Sequence, residues 1–195
     1  MLAFSFSFFC VKFSVYSYLL WLPTFFTRHL KFTKQHTANL LSFFELGTLF
    51  GGFSLGLLSD LTYGKRSPVI LSAILLSLLL SLLLTTAFAS LSTAMLLMIL
   101  FFLGLNLGGL HHLLCVTCSA DLGQKKKATA TITGIIDGTG SLGAAAGQLV
   151  VGTAVERVGW QKGFLMVVSI SIGTTILPAL TVVRREAAEV WQTWK

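Results

Sequence analysis

Charge is scarce in this 195-residue chain: charged residues make up 11% and only seven are acidic, where ordinary soluble domains carry roughly a quarter. Five of those seven fall in loops or the tail, which leaves little for paired-carboxylate chemistry and argues against an intramembrane hydrolase. There is no phosphate loop or His-Glu-x-x-His helix. An enzyme is therefore not expected, and no cofactor is implied. Cysteine is equally sparse, and Cys10, Cys115 and Cys118 all sit in apolar stretches, so no disulfide framework follows. The chain has no Asn-x-Ser/Thr sequon and no C-terminal retrieval signal. Its first apolar run has no preceding basic residue and is too long for an ordinary signal peptide.

What is abundant is apolar surface, at 54% of residues. A chain this short cannot bury so much in a core, but lipid can accept it. A spanning helix needs about 20 largely apolar residues, and six stretches qualify, at about 4–27, 38–59, 67–89, 92–119, 128–155 and 163–183. The expected fold is an all-α membrane protein, with residues 1–183 as a six-helix bundle and 184–195 as a tail. A formal charge of +7 suggests nucleic acid at first sight, but the basic residues lie in short loops and form no binding face. Basic loops report orientation instead. The side with both termini holds eight Lys/Arg, and the opposite side holds five: Arg28, Lys31, Lys34, Arg157 and Lys162. Both termini are thus expected in the cytoplasm.

The spans differ in texture. The third, Val69 to Thr86, is nearly all Leu, Ile, Ser and Ala, and suits lipid on most sides. The second and fifth repeat glycine near four-residue spacing: Gly47, Gly51, Gly52 and Gly56, then Gly134, Gly138, Gly143 and Gly147. Such spacing allows close helix approach. It also places matching helices in two successive three-helix groups, as an inverted repeat would.

Ionisable groups inside spans need a reason, because burying one costs several kcal/mol. Lys12 lies midway along the first span, Glu45 near the start of the second and Asp137 within the fifth. Tyr16 is one turn from Lys12, and a cation with a phenol on one face suits an anionic substrate. The alternative is a structural pair of Lys12 with Glu45 or Asp137. His111, Cys115 and Cys118 share a helical face. One helix seldom closes a metal site, so no metal is assigned and His111 is read as a polar lining residue.

Gly56 to Arg66 reads G-L-L-S-D-L-T-Y-G-K-R, which resembles the loop motif of the major facilitator superfamily. Its elements are Gly56, Asp60, Gly64, Lys65 and Arg66, with four residues from Asp60 to Gly64, a spacing shared with the organophosphate:phosphate antiporter branch. The stretch Ser119 to Gly147, the first span with Lys12 before Trp21-Leu22-Pro23, and V-G-W-Q-K-G-F from Val158 to Phe164 are similar to the sugar-phosphate exchanger family of animal solute carriers. These anchors correspond to the second half of a twelve-helix transporter.

The resemblance implies exchange of a phosphorylated sugar or glycerol phosphate for inorganic phosphate, by rocking of two six-helix halves around a central site. The phosphate-binding arginine of the bacterial relatives' seventh helix falls on Val15, with Lys12 about one turn away, and Glu45 matches a helix-eight glutamate. The implied site is Lys12, Tyr16, Glu45, His111 and Asp137, with the loop motif as a gate and an endoplasmic reticulum membrane as location. Six helices supply half of such a site. The expectation is a fragment or truncated product that needs an N-terminal half or a second copy, with lipid, sugar phosphate and phosphate as its other partners. The alternative is a non-transporting interaction protein that pairs through its glycine-rich helices.

Overall fold

The computed structural model describes residues 2–62, 66–118, 123, 127–177 and 179–180. The expected tail, 184–195, lies outside them. All six expected spans are helical where described. Helix α1 (Leu2–Thr24) runs into a π-helical turn, Phe25–His29. Pro23, near its C-terminal end, brings no N–H to the ladder, and the Thr27 hydroxyl donates to the Pro23 carbonyl at 2.7 Å. Helix α2 (Lys34–Leu61) starts at Thr33, whose hydroxyl accepts from the His36 amide. Helix α3 (Ser67–Ala87) starts with Pro68 in its first turn, and α4 (Thr93–His112) is capped by Ser92 and continues as a π-helical segment, Leu113–Cys118. Helix α5 (Thr129–Val158) ends at Gly159, whose φ of +83° is one glycine adopts freely. A π-helical turn, Gln161–Met166, then leads into α6 (Val167–Thr174).

By length and composition, four helices of this all-α multi-pass membrane protein suffice to cross a bilayer: Leu2–His29, Lys34–Leu61, Ser67–Ala87 and Thr93–Val116. Helix α5 has the length, at 30 residues, but Gly, Thr, Ser and charged residues dilute its apolar content. Helix α6 is described only in part. The expected six-span count therefore rests on apolarity for four segments and on helix continuity for two.

Two helix pairs dominate the packing, α2 with α4 and α1 with α5. Exchanging the first three helices for the last three maps one pair onto the other, and maps the α3–α4 contact onto α6–α1. That correspondence is what the glycine spacing led us to expect of an inverted repeat. Both seams are built on missing side chains. A Cβ at Gly47 or Gly51 would strike the carbonyl of Phe101 or Leu105, and one at Gly104 or Gly108 would strike Phe44 or Thr48. On the other seam, Gly143 lies against the Phe9 backbone and Gly147 against Phe13 and Ser17. In lipid, where no hydrophobic effect joins helices, such backbone approach supplies the dispersion contact that does. Gly56, Gly134 and Gly138 meet nothing within 4 Å, so the glycine spacing seen in sequence divides into packed and open positions.

Behind the seams, the Tyr18 phenol and the Ser81 hydroxyl share a hydrogen bond of 2.6 Å, and Ser81 another of 2.6 Å with Ser169. This buried chain ties α1, α3 and α6. The Ser171 hydroxyl adds a bond to the Cys10 carbonyl at 3.2 Å.

Gly143→Ala is expected to loosen the α1–α5 seam and cost about 1–3 kcal/mol. Gly138→Ala, facing open space, is expected to be neutral or slightly stabilising through helix propensity. Thermal unfolding of both variants in the same mild detergent checks the contrast.

Candidate functional site

Lys12 is fixed by position before chemistry. It sits in the middle of α1 on the face turned to α5, and the residue is only 6% exposed. Its ammonium donates to Asp137 Oδ1 at 2.8 Å and to Ser141 Oγ at 3.1 Å. Asp137 and Ser141 stand one turn apart on α5, so one helix face presents both acceptors. The approach depends on Gly140 between them. A Cβ there would fall on the Phe8 ring and within 2.8 Å of the Lys12 Cδ. Lys12 Nζ also lies 5.3 Å from the centre of the Phe8 ring, within cation–π range.

Helix α4 and its π-helical extension close the third side. The His111 ring packs against Phe8 at 5.1 Å between centroids, and the Cys115 thiol donates to Asp137 Oδ1 at 3.7 Å. The three elements thus bring Lys12, Asp137, Ser141, Cys115 and His111 together. The pair is asymmetric in exposure: the Lys12 side chain is 8% exposed, and that of Asp137 is 49%. The carboxylate opens on the bundle surface beside Gly134 and Gly138, while the ammonium lies buried behind it and Ser141.

Of the residues expected from sequence, Lys12, His111 and Asp137 meet in this cluster. The two candidate partners for Lys12 are resolved in favour of Asp137. Tyr16 is half-buried one turn along α1, and its phenol makes no hydrogen bond among the described residues. Glu45 stands apart, exposed on α2 between the exposed Phe43 and Leu46, with no ion pair among the described residues. The Cys118 side chain lies outside the described residues, and Cys115 faces Asp137. Ser141, Phe8 and Gly140 were not anticipated. A signal was available for Ser141, four residues after Asp137 on a helix, but none for Gly140 without knowing which helix faces it.

In the loop after α2, Arg66 Nη1 lies 3.5 Å from Ser59 Oγ and 3.9 Å from Asp60 Oδ1. The carboxylate is largely exposed, so the ion pair adds little stability and serves to orient the α2–α3 connection. Gly56 is open, and Gly64 and Lys65 lie outside the described residues.

Comparison with known proteins agrees with this architecture. The Major Facilitator Superfamily profile matches residues 4–193. The chain is 30% identical over 189 residues to sugar phosphate exchanger 3 of Bos taurus, covering 94% of this chain and 38% of that one. With the Mus musculus protein of the same name it shares 31% over 195 residues, 97% and 39% of the two chains. With the glucose-6-phosphate exchanger SLC37A2 of Bos taurus it shares 30% over 168 residues, 83% and 34%. The chain therefore spans between about a third and two fifths of the length of these relatives. No solved structure gives a significant match.

Removing the carboxylate should hurt more than removing the ammonium, because Asp137→Ala strands a buried cation while Lys12→Met leaves a half-exposed carboxylate that still accepts from Cys115. Asp137→Ala is expected to cost roughly 2–3 kcal/mol, and Lys12→Met less. The double variant should be more stable than Asp137→Ala alone. Detergent unfolding of the full cycle measures the coupling.

Proposed function

Because the chain belongs to the major facilitator superfamily, we propose that it forms the C-terminal six-helix half of an antiporter. Its exchange would be of a phosphorylated sugar or glycerol phosphate against inorganic phosphate, by alternating access. The relatives' names, sugar phosphate exchanger and glucose-6-phosphate exchanger, support the substrate class. One observation carries the reading: Lys12 is the sole Lys or Arg in the middle of a span, and its partner carboxylate is half open. A charge held at that depth marks a substrate path by default. Lysine meets phosphate as a point charge, without the bidentate fork of arginine.

In this reading Lys12 contacts the phosphate, and Tyr16, Glu45, His111 and Asp137 line the path. Gly56, Asp60, Gly64, Lys65 and Arg66 form the gating connection between α2 and α3. The other wall comes from an N-terminal six-helix half or from a second copy. The membrane is that of the endoplasmic reticulum, with both termini cytoplasmic. A second reading, a non-transporting interaction protein, is favoured by the open glycines Gly134 and Gly138, which leave α5 free to receive another helix.

Liposomes loaded with phosphate and carrying the chain, alone or with an N-terminal half, test the proposal through uptake of labelled phosphate. Exchange is expected with the added half and to be abolished by Lys12→Ala without loss of membrane insertion. Exchange that survives Lys12→Ala removes Lys12 from the path. Absence of exchange in both preparations, with the protein folded, favours the interaction reading.

A further inference from the structure

The end of the bundle opposite the Asp60–Arg66 connection holds a cavity of about 330 Å³ that the transport reading does not use. Phe25, Phe32, Phe88, Leu91, Leu96 and Leu165 form its apolar walls. They come from the ends of α1 and α3, the starts of α2 and α4, and the turn before α6, so the cavity lies at the level of the helix ends, where a spanning helix leaves the hydrocarbon core. Its polar edge is His29, His36, Thr93 and Gln161. The His29 ring is held near Phe25 and Trp160, at 5.4 and 6.3 Å between centroids, and His36 meets the edge of Phe32 at 4.9 Å. Gln161 is fixed by a bond from its Nε2 to the Thr85 carbonyl at 2.7 Å.

Around this mouth the charge is one-sided. Arg28, Lys31, Lys34, Arg157 and Lys162 are all exposed at this end, and none has an ion-pair partner among the described residues. Glu156 is the single acidic residue among them. An apolar cavity alone fits any lipid chain. Five cations without an ion pair among the described residues, at the same end of the bundle as the two imidazoles of the cavity edge, favour a headgroup with net negative charge.

We propose that this end of the bundle is a binding site for an anionic phospholipid. One acyl chain lies in the cavity against the wall of Phe25, Phe88 and Leu165, and the phosphate lies at the level of His29 and His36. The site is separate from Lys12 and stands whether or not the chain transports sugar phosphates.

Native mass spectrometry of the delipidated 195-residue chain in mild detergent tests it, with phosphatidylglycerol, phosphatidylcholine of matched acyl chains, and inorganic phosphate as three separate probes. Phosphatidylglycerol is expected to be retained with at least about tenfold preference over phosphatidylcholine, and phosphate is expected not to displace it. Thr93→Trp, which fills the mouth, and His36→Glu, which reverses its charge, should each abolish that preference. Should either variant fail to fold, phosphatidylglycerol with a photoreactive acyl chain on the unaltered protein should cross-link within 25–36 and 88–96. Equal retention of the two lipids, displacement by phosphate alone, a preference that survives in folded variants, or cross-links confined elsewhere would each overturn the proposal.

Discussion

A single ammonium in the middle of α1 sets the terms for the helices around it. Placing a lysine at that depth costs about 2.5–3.5 kcal/mol even on insertion-based scales, and Lys12 is only 6% exposed. The charge is tolerable only with a close anion, and Asp137 is on another helix. The α1–α5 distance and register are therefore not free. They must bring Oδ1 within 2.8 Å of Nζ, which in turn requires that position 140 carry no side chain. Gly140, Gly143 and Gly147 keep the seam thin enough for Phe8 and the lysine stem to lie between the helices. Each interhelical contact is small, often below 1 kcal/mol in membranes. The ion pair makes their summed geometry matter more than their separate strengths.

The rest of the bundle divides into parts with different mechanical character. At the back, the Tyr18–Ser81–Ser169 chain joins α1, α3 and α6 through groups that have no water to turn to. Breaking the Tyr18–Ser81 link would leave the phenol unpaired in an apolar interior, and Ser169 is held further by the Leu165 carbonyl, so this side is expected to be stiff. At the front, Asp137, Ser141 and the open glycines Gly134 and Gly138 face outward with few neighbours. The repeat symmetry of the packing gives α2 and α4 the same glycine-built contact as α5 and α1. Among the described residues, only the second of these pairs carries a charge across its seam. Symmetry in backbone packing thus coexists with asymmetry in chemistry.

The helices were legible from apolar runs because lipid demands continuous ones: the second stretch, read at about 38–59, is α2 at Lys34–Leu61. The fifth, read at about 128–155, is α5 at Thr129–Val158. What the chain's order could not convey was which faces meet. Lys12 and Asp137 stood out as charges needing a reason, yet Glu45 was an equal candidate until the fold placed it on the exposed side of α2. Glycine spacing announced close approach, but the same pattern covers Gly143, pressed on Phe9, and Gly138, pressed on nothing. Interhelical register decides between them, and register depends on the sum of many small contacts. The π-helical segments were likewise invisible. The one at Leu113–Cys118 carries the thiol that reaches Asp137, so its effect on the site had no local signature.

On the proposed function, charge balance bears directly on whether these six helices suffice. Lys12 and Asp137 sum to zero, and no other Lys or Arg lies in the middle of any span. On that reading, a phosphate monoester approaching this cluster would meet a neutralised cation beside a half-exposed carboxylate. Attraction requires that Lys12 turn from Asp137 to the phosphate or that a further cation come from outside these helices. The first route alone leaves Asp137 unpaired beside an anion, a like-charge juxtaposition made worse by low dielectric. The second keeps Asp137 compensated and adds positive charge where the substrate needs it. On the proposed function, the missing wall must therefore supply more than shape. It must supply at least one cation facing Lys12, and a second copy of this chain, bringing only another neutral pair, meets that need less well than a distinct half with its own unpaired charge.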